Sequence, residues 1–339
     1  GGYSATDWST PDPAANPTML DGEGLGQVVY ADTAGITVTV SGLTLQRGSN
    51  YNVYFQSARL LLQDSEVISA TSNYAVYLNN SDGAQIIDSR IANNRYGLYA
   101  YSSDNLTLEG NTISGNSYDG VYLNRDNHYA TLSDNTITGN GRYGVYSYRN
   151  NDYATLSANT IDGNANHGIY FYGYSADDYA TFTGNTITNN SGNGLYLRYG
   201  TGHTIDSNTI ADNGADGIYI SYNNHQLDNN IIARNGGDGL EWNYGSGMLR
   251  HNTIADNTGG AGLRVVGSAS LVLTNTSIAN HTYGILTTNT AANVQADHTL
   301  WFGNASDTDS TAGGTVVVSN DRYGDPGFAA GTDPFEAYH

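Results

Sequence analysis

The sequence predicts an all-β chain wound as a single-stranded right-handed parallel β-helix, and three observations carry the prediction. Asn-Thr-Ile recurs, as at Asn111-Thr112-Ile113, Asn135-Thr136-Ile137 and Asn208-Thr209-Ile210. Gly-aliphatic-Tyr recurs in step with it, as at Gly144-Val145-Tyr146 and Gly217-Ile218-Tyr219. Between them, short apolar runs alternate with period two and are separated by Asn, Gly, Asp and Ser, so no helix-length pattern survives. A fixed period of this size means a solenoid, in which each repeat buries its apolar face only against its neighbours.

The aliphatic residue of the first element marks the rungs: Leu45, Ile68, Ile91, Ile113, Ile137, Ile161, Ile187, Ile210, Ile232, Ile254, Ile278 and Leu300, at spacings of 22 to 26. That gives about 12 rungs, with rungs stacked about 4.8 Å apart. Residues 1–28 carry Pro11, Pro13, Pro17 and Trp8 and do not fit the repeat, so they read as an N-terminal cap. The β-helix is expected over 29–303, and 304–339 reads as a C-terminal cap or a lead into a further region of a longer protein.

Two ladders of asparagine follow from the register. The Asn before each Thr-Ile (Asn111, Asn135, Asn159, Asn185, Asn208, Asn230, Asn252) and the Asn three residues after each Ile (Asn94, Asn116, Asn140, Asn164, Asn190, Asn213, Asn235, Asn257) stack at corners, where amides hydrogen-bond from rung to rung. The third ladder is Gly-aliphatic-Tyr. Its aliphatic residue must face the core, and alternation then turns the Tyr outward. Tyr77, Tyr99, Tyr122, Tyr146, Tyr170, Tyr196 and Tyr219 line one face, widened two positions on by Tyr101, Tyr148 and Tyr172. Rings with hydroxyls on a rigid face suit an extended polysaccharide, so these tyrosines are the glycan-binding candidates. The alternative is that stacked rings only stabilise the sheet.

Composition narrows the partners. The net charge is −20, from 27 Asp and 5 Glu against 12 Arg with no Lys, and such a surface repels phosphate backbones, which excludes nucleic acid. There is no cysteine, so disulfide scaffolds, zinc thiolates and cysteine nucleophiles are excluded. No apolar run is long enough to insert in a membrane.

The repeat Asn-Thr-Ile-x-x-Asn followed by Gly-aliphatic-Tyr, over roughly residues 40–300, resembles the right-handed parallel β-helix repeats of large secreted bacterial proteins, the pectate-lyase-like superfamily in the broad sense. The opening Gly1-Gly2-Tyr3, with Asp7-Trp8 and Leu20-Asp21-Gly22, is similar to the first segment of that group. The resemblance implies a secreted, extracellular or cell-surface protein. It spans polysaccharide lyases, hydrolases and epimerases as well as tailspikes and adhesins, and fold does not choose among them. Most enzyme signatures of the group are missing: Asp-Pro-His does not occur, and Gly-His-Gly survives only as Asn166-His167-Gly168.

Two constellations could carry chemistry. Glu241 and Arg264 replace the next two tyrosines of the ladder, with Arg198 and Tyr219 beside them. A carboxylate, guanidiniums and a phenol on one face could bind a sugar acid and relay its proton. The plain alternative is a cross-rung Glu241–Arg264 ion pair. In the other, a repeated insertion stacks Asp152 on Asp178, with Asp126 and Asp177 nearby, where calcium could bridge carboxylates. The alternative there is solvated turn acids balanced by Arg125 and Arg149. Asp216 and Asp238, before consecutive glycines, form a further stacked pair that reads as turn residues.

Because every interval from Leu45 to Leu300 stays within 22 to 26 residues, with no long loop beside a strand, the expectation leans away from catalysis. It favours a structural or adhesive rod that binds an extended polysaccharide or self-associates end to end or side by side. The alternative is a lyase, hydrolase or epimerase on an acidic glycan, for which no cofactor is required and calcium could assist.

Overall fold

The computed structural model describes residues 6, 9, 15–70, 73–173 and 178–327. Every regular element among them is a strand. The chain forms two compact units, 1–166 with 170–174 and 167–169 with 175–339. Within each unit it passes in turn through three parallel sheets, A, B and C, returning to each after one rung. The expected β-helix is therefore the observed fold.

Sheet A is built from the Asn-Thr-Ile element. Most of its strands are three residues long with the central residue fully buried, as in Thr112–Ser114 and Thr209–Ala211. Pairing is parallel and in step: Ile91, Ile113, Ile137 and Ile161 stack in the first unit, and Ile187, Ile210, Ile232, Ile254 and Ile278 in the second. All of them are 0% exposed. At two rungs the marker is displaced by one residue. Val67, not Ile68, stacks between Leu45 and Ile91, and Trp301, not Leu300, stacks on Ile278. Spacing alone cannot resolve a one-residue slip between adjacent apolar residues, whereas the pleat sends only one of them inward.

Strands extend past both expected boundaries. Thr18–Asp21 pairs with Leu43–Gln46 ahead of residue 29, and Ser306–Ser310, Thr315–Ser319 and Arg322–Tyr323 continue the three sheets beyond 303.

Both asparagine ladders are present, and they lie inside the wall. The Asn111 amide donates to Asn135 Oδ1 at 3.0 Å and to the Ile86 carbonyl at 2.7 Å. In the second unit Asn208 donates to Asn230, and Asn230 to Asn252, each at 3.0 Å. Asn213 and Asn235 repeat the device at the second corner. These side chains are at most 3% exposed, so their donors and acceptors need the rung above and the rung below.

The glycine that opens most sheet B strands from Gly97 onward has a packing cause. A Cβ on Gly217 would lie 2.5 Å from Ile232 Cγ2 and 2.7 Å from the Gly239 carbonyl. The chain turns so tightly there that only hydrogen fits between rungs.

Candidate functional site

Sheet B carries the tyrosine face. In the first unit Tyr30, Tyr54, Tyr77, Tyr99, Tyr122 and Tyr146 occupy one register column, with Asn79, Tyr101, Asn124 and Tyr148 beside it. In the second unit Tyr196 and Tyr219 hold the same column position, followed by Glu241 and Arg264, with Arg198, Ser221 and Asn243 alongside. Tyr170 packs on Tyr146 at 5.1 Å between ring centroids, and Tyr172 on Tyr148 at 5.3 Å. Tyr30, at the head of the column and 54% exposed, belongs to the face although the repeat does not mark it.

The rings are half-buried in one another rather than free. Tyr196 and Tyr219 stack at 4.4 Å, Tyr122 and Tyr146 at 4.6 Å, and Tyr99 is 9% exposed between its neighbours. Burial pushes the Tyr77 phenol up to about 12 and raises Tyr74, Tyr122 and Tyr146 as well. These hydroxyls stay protonated at neutral pH and serve as donors, not bases.

Where the tyrosine column stops, carboxylates gather. Asp216 and Asp238 stand at the turns leading into the strands Ile218–Ser221 and Leu240–Asn243, one rung apart. The backbone N–H of Asp238 donates to Asp216 Oδ1 at 2.8 Å, and that of Ala261 to Asp238 Oδ1 at 2.8 Å. Glu241, three residues after Asp238, feels both aspartates. Burial, then Asp216 and Asp238, push its carboxyl up to about 7, against the pull of Arg264. Burial also pushes Asp216 up to about 6.

The expected Glu241–Arg264 ion pair is replaced by another. Arg264 grips Asp238 instead, through Nε to Oδ2 and through Nη2 to Oδ1 at 3.3 Å. The guanidinium is thus engaged by the 5% exposed Asp238 side chain and leaves Glu241 without a formal counter-charge. Glu241, Arg264 and Tyr219 do come together, while Arg198 lies one column aside with its guanidinium over the Tyr199 ring at 5.2 Å.

Asp216 and Asp238 are the functional candidates that sequence reasoning set aside. Strand alternation puts them on the inward side, two residues before buried Ile218 and Leu240, whereas they sit in the turn with their carboxylates held by backbone N–H groups of the next rung and their charges acting on Glu241.

The first unit contains a related clamp without the acid. Arg142 binds Asp119, through Nε at 2.7 Å and through Nη2, and lies over the Tyr143 and Tyr146 rings. The column residue there is Tyr122, where the second unit has Glu241.

The calcium candidates are not gathered into a ligand set. Asp126 accepts from the Asn150 amide at 3.0 Å, and Asp152 faces His128 Nδ1 at 3.3 Å. Asp178 is fully buried beside Gly200, and Asp177 lies outside the described residues. Among the described residues no three His, Asp or Glu side chains converge on one point.

A family profile for the right-handed β-helix region matches residues 27–177 and 174–323. The chain belongs to this right-handed β-helix family. No curated protein sequence matches this β-helix protein. Among solved structures it is similar to the A-module of the Azotobacter vinelandii mannuronan C-5 epimerase AlgE6, at TM-score 0.64 and 18% identity over 92% of each chain. It is also similar to the catalytic unit of the GH87 α-1,3-glucanase of Streptomyces thermodiastaticus, at TM-score 0.57 and 17% identity over 92% of this chain and 69% of that one. A third is the periplasmic alginate epimerase AlgG, at TM-score 0.54 and 13% identity over 88% of this chain and 78% of that one. At these identities the likeness establishes the fold.

Proposed function

We propose that the protein is a polysaccharide-acting enzyme of the glycoside-hydrolase kind, working outside the cytoplasm on a neutral glycan laid along sheet B. The observation that carries this reading is Glu241, a carboxyl pushed up to about 7 at the point where a column of tyrosines ends, beside two aspartates, one of them clamped by Arg264. Glycosidases need one carboxylic acid to protonate the leaving oxygen and one carboxylate to activate water or attack the sugar. Glu241 supplies the first. Asp216, ionised above about 6, supplies the second: it takes a proton from water as the water oxygen bonds to the anomeric carbon, and the Glu241 proton goes to the departing oxygen.

The fold is shared with an α-1,3-glucanase and with alginate epimerases, which supports a glycan partner. Charge favours a neutral one. Even with Glu241 protonated, two aspartates share one guanidinium already engaged by Asp238, so a uronate would meet net negative charge. The chain has no Lys, which weighs against a lyase or epimerase that abstracts its proton with Lys. The structural and adhesive reading rests on the same tyrosine face without the acids.

The test is incubation with neutral and uronate polymers, following new reducing ends and unsaturated products. Hydrolysis of a neutral polymer, lost in Glu241→Gln and in Asp216→Asn, is expected. Retardation by a polymer with no cleavage would return the protein to the adhesive reading, and unsaturated products would make it a lyase. Activity should be bell-shaped in pH with its maximum between about 6 and about 7, because the active form needs Asp216 ionised and Glu241 protonated.

A further inference from the structure

The residue that follows each of these sheet B strands lies in the left-handed region, and on the rungs of Arg125, Arg149, Tyr199, Tyr222 and Tyr244 the next residue lies there too. In the first unit that position is taken by Asn80, Ser102, Arg125 and Arg149, with φ of 51°, 46°, 59° and 60°. In the second unit it is taken by Tyr199, Tyr222 and Tyr244, with φ of 57°, 73° and 66°. An aromatic residue is a poor choice there, since its Cβ meets the backbone and only Gly, Asn and Asp visit the region cheaply. The cost is accepted on three consecutive rungs, and those are the rungs of Tyr196, Tyr219 and Glu241.

The three rings form a second column. Their centroids are 5.1 and 5.0 Å apart, with planes within 17° and 11° of parallel. Tyr222 is 40% exposed and Tyr244 39%. The column ends against Gly267, which has no side chain to lay over the Tyr244 ring: a Cβ there would come within 2.8 Å of Tyr244 Cδ1. Glu241 is three residues from Tyr244 along the same strand and turn, roughly 10 Å of extended chain, so the ring column runs alongside the strand end that carries the acid. The step between rings is close to the length of one pyranose in an extended chain. Ring edges and hydroxyls match the mixed C–H and O–H surface of an uncharged sugar.

We propose that Tyr199, Tyr222 and Tyr244 are a glycan-binding wall that seats the sugars of a neutral polymer next to the residue cleaved at Glu241, an inference that rests on the hydrolase reading above. The strain at these positions is then kept for binding, as backbone strain is elsewhere at ligand sites.

The test is the double variant Tyr222→Asn with Tyr244→Asn, made in the active chain and in a Glu241→Gln chain. Tyr153→Asn, at a left-handed tyrosine (φ 59°) of the first unit, serves as control. Asparagine tolerates the conformation, so the thermal midpoint should not fall. In the active chain, KM for the polymer should rise about tenfold with kcat held within about twofold. In the Glu241→Gln chain, retardation by the soluble neutral polymer should be lost with the double variant and kept with the control. Unchanged retardation and KM with a preserved midpoint would overturn the wall, as would equal losses in the control. Because the retardation arm needs no turnover, a chain that binds through these tyrosines but cleaves nothing would sink the hydrolase reading and leave the wall standing.

Discussion

Glu241 couples function to stability. Its carboxyl rises from an ordinary 4.5 to about 7, so between those values the folded protein holds a proton that the unfolded chain has released. Stability therefore falls as pH rises through that window, and Asp216, rising from 3.8 to about 6, adds to the loss. Replacing Glu241 with Gln removes the buried charge. We expect that variant to be more stable than the parent by about 1–2 kcal/mol near pH 8, after discounting for the part of the carboxyl that water screens, and equal to it near pH 4. Denaturant midpoints at the two pH values measure the difference, and a Gln variant less stable at the higher pH would contradict the assigned shift. Gaining stability while losing hydrolysis is the signature of a site held at the expense of the fold.

At the level of the element, the asparagine ladders hold the corners. The Asn208 side chain accepts from the Asn185 backbone N–H and amide, each at 2.9 Å, and donates to Phe182 and Asp206 carbonyls and to Asn230. Asn208→Ala would orphan several of these groups at once in a wall with no water access, at a cost of about 3 kcal/mol. A urea midpoint within experimental error of the parent would show that the corner relaxes around the gap. The glycines of sheet B act by exclusion. Gly217→Ala forces a methyl against Ile232 and the Gly239 carbonyl and should cost about 1–3 kcal/mol in the same measurement, with hydrolysis reduced because Asp216 is the preceding residue.

For the whole molecule, the charge of −20 with no lysine sets a distributed repulsion that the Arg–carboxylate pairs among the described residues only locally relieve. Screening should stabilise such a chain. Raising ionic strength from about 0.01 to 0.15 M shortens the Debye length from about 30 to about 8 Å, and the thermal midpoint should rise over that range. A midpoint that falls with salt would mean that the exposed Arg–Asp pairs, such as Arg250 with Asp228 at 2.7 Å, outweigh the net charge.

The sequence by itself determined the parallel β-helix, its rung length, the asparagine corners and the face on which tyrosines stand, because each depends on a residue recurring at one period and on the two-residue alternation of a strand. It also pointed to Glu241 and Arg264, since a break in a ladder is visible against its regularity. Only the tertiary structure decided who pairs with whom at that break. Arg264 binds Asp238 rather than Glu241, and the charges of Asp216 and Asp238, held at the turns by backbone N–H groups of the next rung, reach Glu241 and push its carboxyl up. The left-handed tyrosines were hidden for the same reason: a turn's dihedral angles come from the rungs packed above and below it, and no period in the letters records them.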